Sequence, residues 1–210
     1  MNRMHVIVAT GPLEVNCQIL SGAPGRAVLI DPGGDAPLLL ARLEELGLHP
    51  ELILNTHGHF DHLGAVAALQ KTCGCRFLIH PGDHFLVENA ASHAARWGLP
   101  FGAIPRPDGP LSDGQTIEAA GIQLRIIHTP GHSPGGVCIA WDNDLATGDT
   151  LFAGSVGRTD LPGGHATQLM ASIRDKLLPL SADIRCHPGH GPSTTLRAER
   201  HHNPYLVNAG

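Results

Sequence analysis

The chain has 210 residues, of which 42% are hydrophobic and 16% are charged, a balance that excludes an intrinsically disordered protein. Its length suits one large domain and is too short for two domains of ordinary size with a linker. The formal net charge of -5 at pH 7 disfavours nucleic acid or an anionic membrane as the main partner, and no apolar run approaches the roughly 20 residues of a membrane helix. We therefore expect a small-molecule substrate, no nucleic-acid partner and no membrane partner.

Histidine and cysteine usage narrow the class of protein further. The 15 histidines stand against one tyrosine and two tryptophans, and this excess needs an explanation. The cysteines are odd in number, scattered and without a CxxC pair, so we expect reduced thiols rather than a disulfide framework or a structural zinc site. The N-terminus runs from Met1 directly into the apolar residues 6–8 without a signal segment, which predicts a cytoplasmic location. The cysteines are Cys17, Cys73, Cys75, Cys138 and Cys186.

The first part of the chain alternates strand-like and helix-like segments. Residues 15–20 and 26–30 have the composition of strands and are joined by a turn-rich segment, which predicts a meander. Residues 37–46 carry leucines at helical spacing between Pro37 and Gly47 and predict an amphipathic helix. Residues 51–55 predict a short buried strand, and residues 63–71 predict a second helix after a histidine-rich loop.

The remaining segments continue this alternation. Residues 76–80 predict a strand, residues 83–97 a helix, and residues 99–110, which hold four prolines and two glycines, an irregular loop. Hairpin strands are expected at 116–119 with 122–128 and at 137–141 with 144–147. A helix at 167–178, a strand at 184–186 and a helix at 195–202 complete the chain. Because strands followed by a helix recur in both halves, we expect one α/β domain in which helices cover sheet.

Residues 56–62, with the sequence Thr-His-Gly-His-Phe-Asp-His, place four potential metal ligands directly after a predicted strand. Imidazole nitrogen and carboxylate oxygen suit zinc, iron and related ions. One metal could take His57 and His59, and a neighbouring metal could take Asp61 and His62. The alternative is a polar loop that is rich in histidine by chance, and the HxHxDH spacing argues against it.

Further ligands are available in the second half, in three turns that follow predicted strands. His132 lies in the turn at 129–133, Asp149 in the turn at 148–150, and both His187 and His190 in the turn at 187–191. The glycines and prolines of these turns let the backbone bend sharply, so that a side chain can face a shared centre.

Together these ligands resemble the set of the metallo-β-lactamase fold superfamily, and the resemblance extends from Asp31 to Pro204. It implies an αββα sandwich with a dinuclear metal site at one edge of its sheets, in a single domain spanning residues 1–210. It also favours His190 over His187 as the ligand. The ligands implied are His57, His59 and His132 for the first metal, Asp61, His62 and His190 for the second, and Asp149 as a bridge.

The segments at 56–62, 130–132 and 148–152 are similar to the glyoxalase II-like branch, which hydrolyses S-acylglutathione thioesters such as S-lactoylglutathione. This similarity implies two divalent metal ions, zinc first with iron or manganese also accepted, and a metal-bound hydroxide held with Asp61 and Asp149. Residues 155–160 and 199–204 resemble the small bacterial members. We therefore expect no C-terminal helical domain of the kind that longer glyoxalase II enzymes carry, and the oligomeric state is left open.

Several assignments have two interpretations. Arg158 could bind a substrate carboxylate through a bidentate pair or form a salt bridge with Asp160. Asp31 could be a turn residue or an acceptor for a ligand histidine. Two further functions resemble other relatives of the fold: a glutathione persulfide dioxygenase with one iron bound by His57, His132 and Asp149, and a metal-binding or redox module without hydrolytic activity.

Overall fold

The computed structural model describes residues 3–207. Met1 and Asn2, which belong to the N-terminal stretch that predicts a cytoplasmic location, lie outside the described residues, as do residues 208–210 of the predicted single domain. None of the helices within 3–207 combines the length and the apolar character that crossing a membrane requires.

The described chain contains strands and helices in alternation, together with one 3₁₀ turn and one π-helical turn. The strands are β1 Met4–Thr10, β2 Val15–Ser21, β3 Arg26–Ile30, β4 His49–Leu54, β5 Arg76–Ile79, β6 Gly109–Pro110, β7 Thr116–Ala119, β8 Ile122–His128, β9 Val137–Trp141, β10 Asp144–Gly148, β11 Leu151–Phe152, β12 Ser155–Val156, β13 Arg185–Pro188 and β14 Thr194–Thr195. The helices are α1 Ala36–Glu45, α2 Phe60–Leu63, α3 Val66–Cys73, α4 His84–Glu88, α5 Ala90–Arg96, α6 Ala166–Ser172, α7 Leu196–His202 and α8 Pro204–Val207. A 3₁₀ turn, Pro81–Asp83, precedes α4, and a π-helical turn, Ile173–Leu177, continues α6.

The strands form two six-stranded sheets. The first sheet has the order β1-β2-β3-β4-β5-β6, and the second has the order β14-β13-β10-β9-β8-β7. In the first sheet β1, β2 and β3 are antiparallel, as the predicted meander requires, whereas β3 to β6 are parallel. In the second sheet β7 to β10 are antiparallel and β13 lies parallel to β10. Strands β11 and β12 form a separate two-stranded ribbon.

Strand β3 illustrates why the two sheets stack with helices outside them. Ala27 and Leu29 face one way and pack in a cluster with Leu39 and Leu43 of α1. Val28 and Ile30 face the other way into a cluster shared with the second sheet. Successive residues of a strand point to opposite faces, so a continuous apolar run is what a strand buried on both faces requires.

The outer face of the second sheet is covered in the same way. Cys138, Leu145 and Cys186 of this sheet pack against Leu169 of α6 and Ile173 of the π-helical turn. The order of layers is therefore helix, sheet, sheet, helix, and the predicted αββα sandwich is confirmed. All five cysteines are free thiols, in agreement with the expectation of no disulfide.

Two predicted helices are interrupted in the structure. The helix expected at 63–71 is divided into α2 and α3, because the amides of Gly64 and Ala65 donate to the carbonyls of Gly33 and Pro32. A side chain at Gly64 would meet the Gly33 carbonyl at 2.3 Å. The helix expected at 83–97 begins as a 3₁₀ turn and is divided at Asn89. The first of these breaks is caused by contacts between distant parts of the chain, which a local sequence pattern does not contain.

The carboxyl ends of six strands meet at one edge of the sandwich. In the first sheet β3, β4 and β5 run in the same direction, and in the second sheet β8, β10 and β13 do so. The two sheets are joined at this edge by the bond from Val137 N to Thr56 O, 2.8 Å long. Loops that follow these ends are therefore close together, which is a common place for a site in sheet proteins.

Candidate metal centre

The seven predicted ligands lie together at the edge where these strand ends meet. They form three overlapping groups, and within each group the ligand atoms lie within 4.8 Å of one another. The structure therefore brings together every residue that the resemblance assigns to the metal centre. The first group is His57, His59 and His132, the second group is Asp61, His62 and His190, and the third set, His57, His62 and Asp149, overlaps both.

The first group consists of three buried imidazoles on two loops. His57 and His59 follow β4, and His132 follows β8. His59 Nδ1 lies 2.9 Å from His132 Nε2, and the ring centroid of His57 lies 4.8 Å from that of each of the other two. Three nitrogens that converge at this range suit a divalent ion such as zinc or iron.

The second group combines a carboxylate with two imidazoles. Asp61 and His62 belong to α2, which begins immediately after His59, and His190 lies in the turn that follows β13. His190 Nε2 lies 3.3 Å from Asp61 Oδ2, and His62 Nε2 lies 3.8 Å from the same oxygen. A carboxylate adds a hard anionic ligand to the imidazoles.

Asp149 contacts both groups. Its Oδ2 lies 3.6 Å from His132 Nε2 and 3.8 Å from His190 Nε2, and its Oδ1 lies 3.5 Å from His62 Nε2. Asp149 follows β10, the strand that lies between those leading to His132 and His190. Its position suits the bridging role that the resemblance assigns to it.

Unpartnered buried atoms test whether these residues fit a metal. Six buried side-chain nitrogen or oxygen atoms among residues 3–207 have no hydrogen-bond partner, and five of them belong to this site. Such an atom costs about 1–3 kcal/mol when nothing binds it, so five in one place indicate a ligand. Nitrogen and carboxylate donors together fit divalent ions. The five atoms are His57 Nε2, His59 Nε2, His62 Nδ1, His62 Nε2 and Asp149 Oδ1.

A chain of hydrogen bonds orients His57. Thr56 Oγ1 donates its only proton to Asp31 Oδ2 at 2.6 Å, so His57 Nδ1, 3.1 Å from the same hydroxyl, must be the donor to it. The lone pair of His57 is therefore on Nε2, which faces the centre. Asp31 Oδ1 also accepts from Thr56 N at 2.7 Å.

Asp31 is a turn residue, and it supports His57 through Thr56 rather than by accepting a hydrogen bond from a ligand histidine. Its φ of 51° makes it a turn residue in the left-handed region, which aspartate tolerates. It also supports the ligands, since it accepts from Thr56 and its Oδ2 lies 3.1 Å from His62 Nδ1, although that last contact lacks the direction of a hydrogen bond.

Backbone carbonyls orient two further histidines. His132 Nδ1 donates to Arg158 O at 2.8 Å, and His190 Nδ1 donates to Leu13 O at 2.9 Å. A carbonyl can only accept, so Nδ1 of each ring carries a proton and Nε2 is the nitrogen left to bind a metal. The turn of His190 is also held to the first sheet by the bond from Asn16 N to Gly189 O, 2.8 Å long.

The two groups differ in their affinity for protons. Burial, followed by the charge of neighbouring imidazoles, lowers the pKa of His57 well below its ordinary value and that of His59 to about 3. In the second group burial alone would lower the pKa of His62, but the carboxylates of Asp61 and Asp149 raise it well above the ordinary value. The pKa of His190 is likewise raised by Asp61 against the effect of burial.

The two aspartates of the site are ionised for a matching reason. Burial would raise the pKa of Asp149 and of Asp61, but the charge of His62 lowers both. Hydrogen bonding to His190 adds to the effect on Asp61. Neither carboxyl can therefore donate a proton at neutral pH.

His187 lies outside this centre, as the resemblance implies. Its Nε2 is 2.7 Å from Asp144 Oδ1 and its Nδ1 is 2.9 Å from Ser193 Oγ. With His5 it forms a fourth group of possible ligands, but His5 Nε2 is itself 2.6 Å from Gln18 Oε1. The ring nitrogens of His187 are thus partnered, unlike Nε2 of His57.

Asp83 joins the two loops that carry the first group. Its fully buried carboxylate accepts from Gly58 N at 2.8 Å and from Ser133 Oγ at 2.7 Å through Oδ2, and from Gly135 N at 2.6 Å through Oδ1. Burial raises the pKa of Asp83 despite these bonds. From the sequence alone, residue 83 is predicted only as the start of a helix, and its position shortly after a predicted strand is the one signal of a further role.

A cavity of about 450 Å³ opens onto the ligands. Its other walls are largely apolar and include Phe60, Leu86 and Phe152. Arg158 also lines it, and its guanidinium pairs with Asp160 through two bonds of 2.8 Å. The structure therefore contains the salt bridge with Asp160, which was one of the two interpretations of Arg158.

We expect Asp83→Asn to weaken metal binding by about tenfold or more, because the amide cannot accept all three hydrogen bonds that position the first group. Zinc affinity measured by competition with a chelator tests this. Asp108→Asn is the control, since Asp108 also accepts from a backbone amide, Phe77 N at 2.8 Å, but lies outside the ligand groups. Equal zinc affinity in Asp83→Asn and the wild type would contradict the expectation.

We expect zinc binding at pH 7 to release about one to two protons. The raised pKa values favour the protonated forms of His62 and His190 in the metal-free protein, and a metal must displace any proton that these rings hold. Affinity therefore falls as the pH falls. Calorimetry in buffers of different ionisation enthalpy measures the release, and His190→Gln should reduce it; a buffer-independent enthalpy would refute this assignment.

The comparisons with known proteins agree with this geometry. Residues 10–190 match the Metallo-beta-lactamase superfamily. "Hydroxyacylglutathione hydrolase GloC" of Haemophilus influenzae is 40% identical over 204 residues, which cover 95% of this chain and 96% of that protein. The solved structure of BLEG-1 B3 metallo-beta-lactamase has a TM-score of 0.92 and 38% identity, covering 98% of this chain and 100% of its own.

A second solved structure, TTHA1623 in a di-iron-bound form, has a TM-score of 0.89 and 43% identity, and the match covers 96% of this chain and 100% of that one. The match to the superfamily spans most of this chain. The relatives named above are matched over nearly their whole length. This chain belongs to the metallo-β-lactamase superfamily.

Proposed function

We propose that this chain is a metal-dependent thioester hydrolase that cleaves S-acylglutathiones such as S-lactoylglutathione to a 2-hydroxy acid and glutathione. The observation that carries the proposal is the cavity of about 450 Å³, which gives a small molecule access to ligands of both groups. The similarity to the protein named hydroxyacylglutathione hydrolase GloC supports the choice of substrate.

The proposed cofactors are two divalent ions, zinc first, one held by His57, His59 and His132 and the other by Asp61, His62 and His190, with Asp149 between them. Bound in pairs, such ions act as Lewis acids toward a carbonyl oxygen and lower the pKa of water to about 7. The di-iron form of TTHA1623 makes iron the first alternative to zinc.

The protein's own groups suit a thioester better than an amide. Asp61 and Asp149 have lowered pKa values, so neither supplies a proton to a leaving group at neutral pH. A thiol with a pKa of about 8.5 departs as the thiolate without one, whereas an amine leaving group requires protonation. The negative charges of Asp61 and Asp149 instead hold His62 in place, and the apolar wall formed by Phe60 and Phe152 excludes water from the bound thioester.

Arg158 is proposed to bind a carboxylate of the substrate. It lines the cavity, and its planar guanidinium can bind a carboxylate through two parallel bonds. Because Asp160 occupies that face, the substrate must displace an exposed ion pair, which is worth little in water.

Hydrolysis of β-lactams is the second candidate function. It is favoured by the similarity to BLEG-1, which is described as a B3 metallo-beta-lactamase. The persulfide dioxygenase alternative needs only one iron at His57, His132 and Asp149, and it gives no role to the adjoining group of Asp61, His62 and His190.

We expect His59→Ala and Asp149→Ala each to reduce the hydrolysis of S-lactoylglutathione by about 100-fold or more while the protein stays folded, because each removes a proposed metal ligand. The assay follows thioester loss, and circular dichroism checks the fold. His49→Ala, at an exposed position outside the site, should retain full activity. Near-normal turnover by Asp149→Ala would overturn the proposal.

Elemental analysis combined with three substrates distinguishes the candidate functions. We expect two metal ions per chain and a kcat/KM for S-lactoylglutathione well above that for a chromogenic cephalosporin. No oxygen uptake is expected with glutathione persulfide. A single iron with oxygen uptake would establish the dioxygenase instead, and faster cephalosporin hydrolysis would establish the β-lactamase.

A further inference from the structure

One wall of the cavity carries a positive charge that no described residue neutralises. Arg96 lines the cavity, and its guanidinium forms neither a hydrogen bond nor an ion pair with any residue in 3–207. The only other arginine in the lining, Arg158, is paired with Asp160 through both sides of its guanidinium. Arg96 is therefore the unpaired guanidinium of the described lining.

None of the described residues next to Arg96 in α5 carries a negative charge. His93 lies one helical turn earlier in α5 and also lines the cavity, so the two side chains share a face of the helix. Burial and then the charge of Arg96 lower the pKa of His93, and no carboxylate opposes that effect. The carboxylates in the lining are Asp61 and Asp149, and both belong to the metal centre.

Trp97 supplies an apolar surface next to this charge. Its side chain is 52% exposed, although a tryptophan normally buries most of its surface. Its ring centroid lies 6.3 Å from that of Phe60, the residue directly before the ligand Asp61. The wall thus continues from the metal centre through Phe60 to Trp97 and the guanidinium.

A purely structural role for Arg96 explains only part of this arrangement. A cation in the last turn of a helix interacts favourably with the helix dipole, which accounts for an arginine at the end of α5. It does not account for a lining without a compensating carboxylate or for the exposed indole beside it. An anionic ligand that lies on the indole explains both.

We propose that Arg96 binds a carboxylate of the substrate's thiol carrier, so that it selects carboxylate-bearing, peptide-like thioesters over neutral ones. This inference rests on the proposed thioesterase function. It makes Arg96 a specificity-determining residue, with Trp97 covering the carrier beside it. The carrier then spans from the metal centre, where the thioester lies, to α5.

The test compares two thioesters that share an acyl group. S-lactoylglutathione carries carboxylates on its thiol, and S-lactoyl-N-acetylcysteamine carries none. We expect Arg96→Gln to raise KM for the first by about five- to tenfold with kcat changed less than about twofold. KM for the second should stay within about twofold, and Arg96→Lys should recover part of the loss.

Arg125→Gln is the matched control, because Arg125 is exposed on β8 and lies outside the cavity lining; it should alter neither substrate. Equal changes in KM for both thioesters, or no change for S-lactoylglutathione, would overturn the role of Arg96.

A binding measurement separates this inference from the proposed function. S-hexylglutathione is a thioether that cannot be hydrolysed, so calorimetry reports its binding whether or not the protein is a thioesterase. We expect Arg96→Gln to weaken that binding by about five- to tenfold. If the wild type binds S-hexylglutathione through Arg96 but hydrolyses no thioester, the function fails and the carboxylate subsite stands; if the wild type hydrolyses S-lactoylglutathione and Arg96→Gln has no effect on binding, the subsite fails and the function stands.

Discussion

Burial of imidazole and carboxylate groups that no protein atom satisfies is the constraint on which this fold depends. Nε2 of His57 and of His62 and Oδ1 of Asp149 lie together without a hydrogen-bond partner among the described residues, at a cost of about 1–3 kcal/mol each. Such a cluster persists only because neighbouring groups prevent the side chains from turning away. Asp31 performs this task through Thr56, and Asp83 does so by tying together the loops of His57 and His132.

The same cluster divides into halves with different chemistry. His57 and His59 are surrounded by other imidazoles and are kept neutral, so their lone pairs are available without loss of a proton. His62 and His190 lie beside carboxylates that raise their pKa values, so these two rings bind protons more readily than His57 and His59 do. One scaffold edge therefore offers a soft, uncharged set of ligands beside a harder, charged one, and Asp149 belongs to both.

Features that leave a local pattern in the sequence could be predicted, and features that depend on contacts between distant residues could not. The candidate ligands after the first sheet were predictable because HxHxDH spacing follows an apolar strand, and His132 and Asp149 because each stands in a glycine- or proline-rich turn after one. His190 stands in such a turn together with His187, and only the family resemblance favoured His190. Asp83 and Arg96 were not predictable in this way. The importance of Asp83 depends on a pairing across 50 residues with Ser133, and that of Arg96 on the absence of a nearby carboxylate, neither of which leaves a local pattern. The break at Gly64 has the same origin, since the Gly33 carbonyl causes it from another part of the chain.

The attachment of the His190 turn to Leu13 and Asn16 has a consequence for how the protein is made. The ligand set is complete only when a turn near one end of the chain docks on a loop near the other, through contacts that span 177 residues in the case of His190 and Leu13. During synthesis the HxHxDH loop leaves the ribosome long before that docking partner exists. A nascent chain therefore offers at most part of the candidate centre, and docking of the His190 turn on Leu13, rather than appearance of the histidine motif, completes the ligand set.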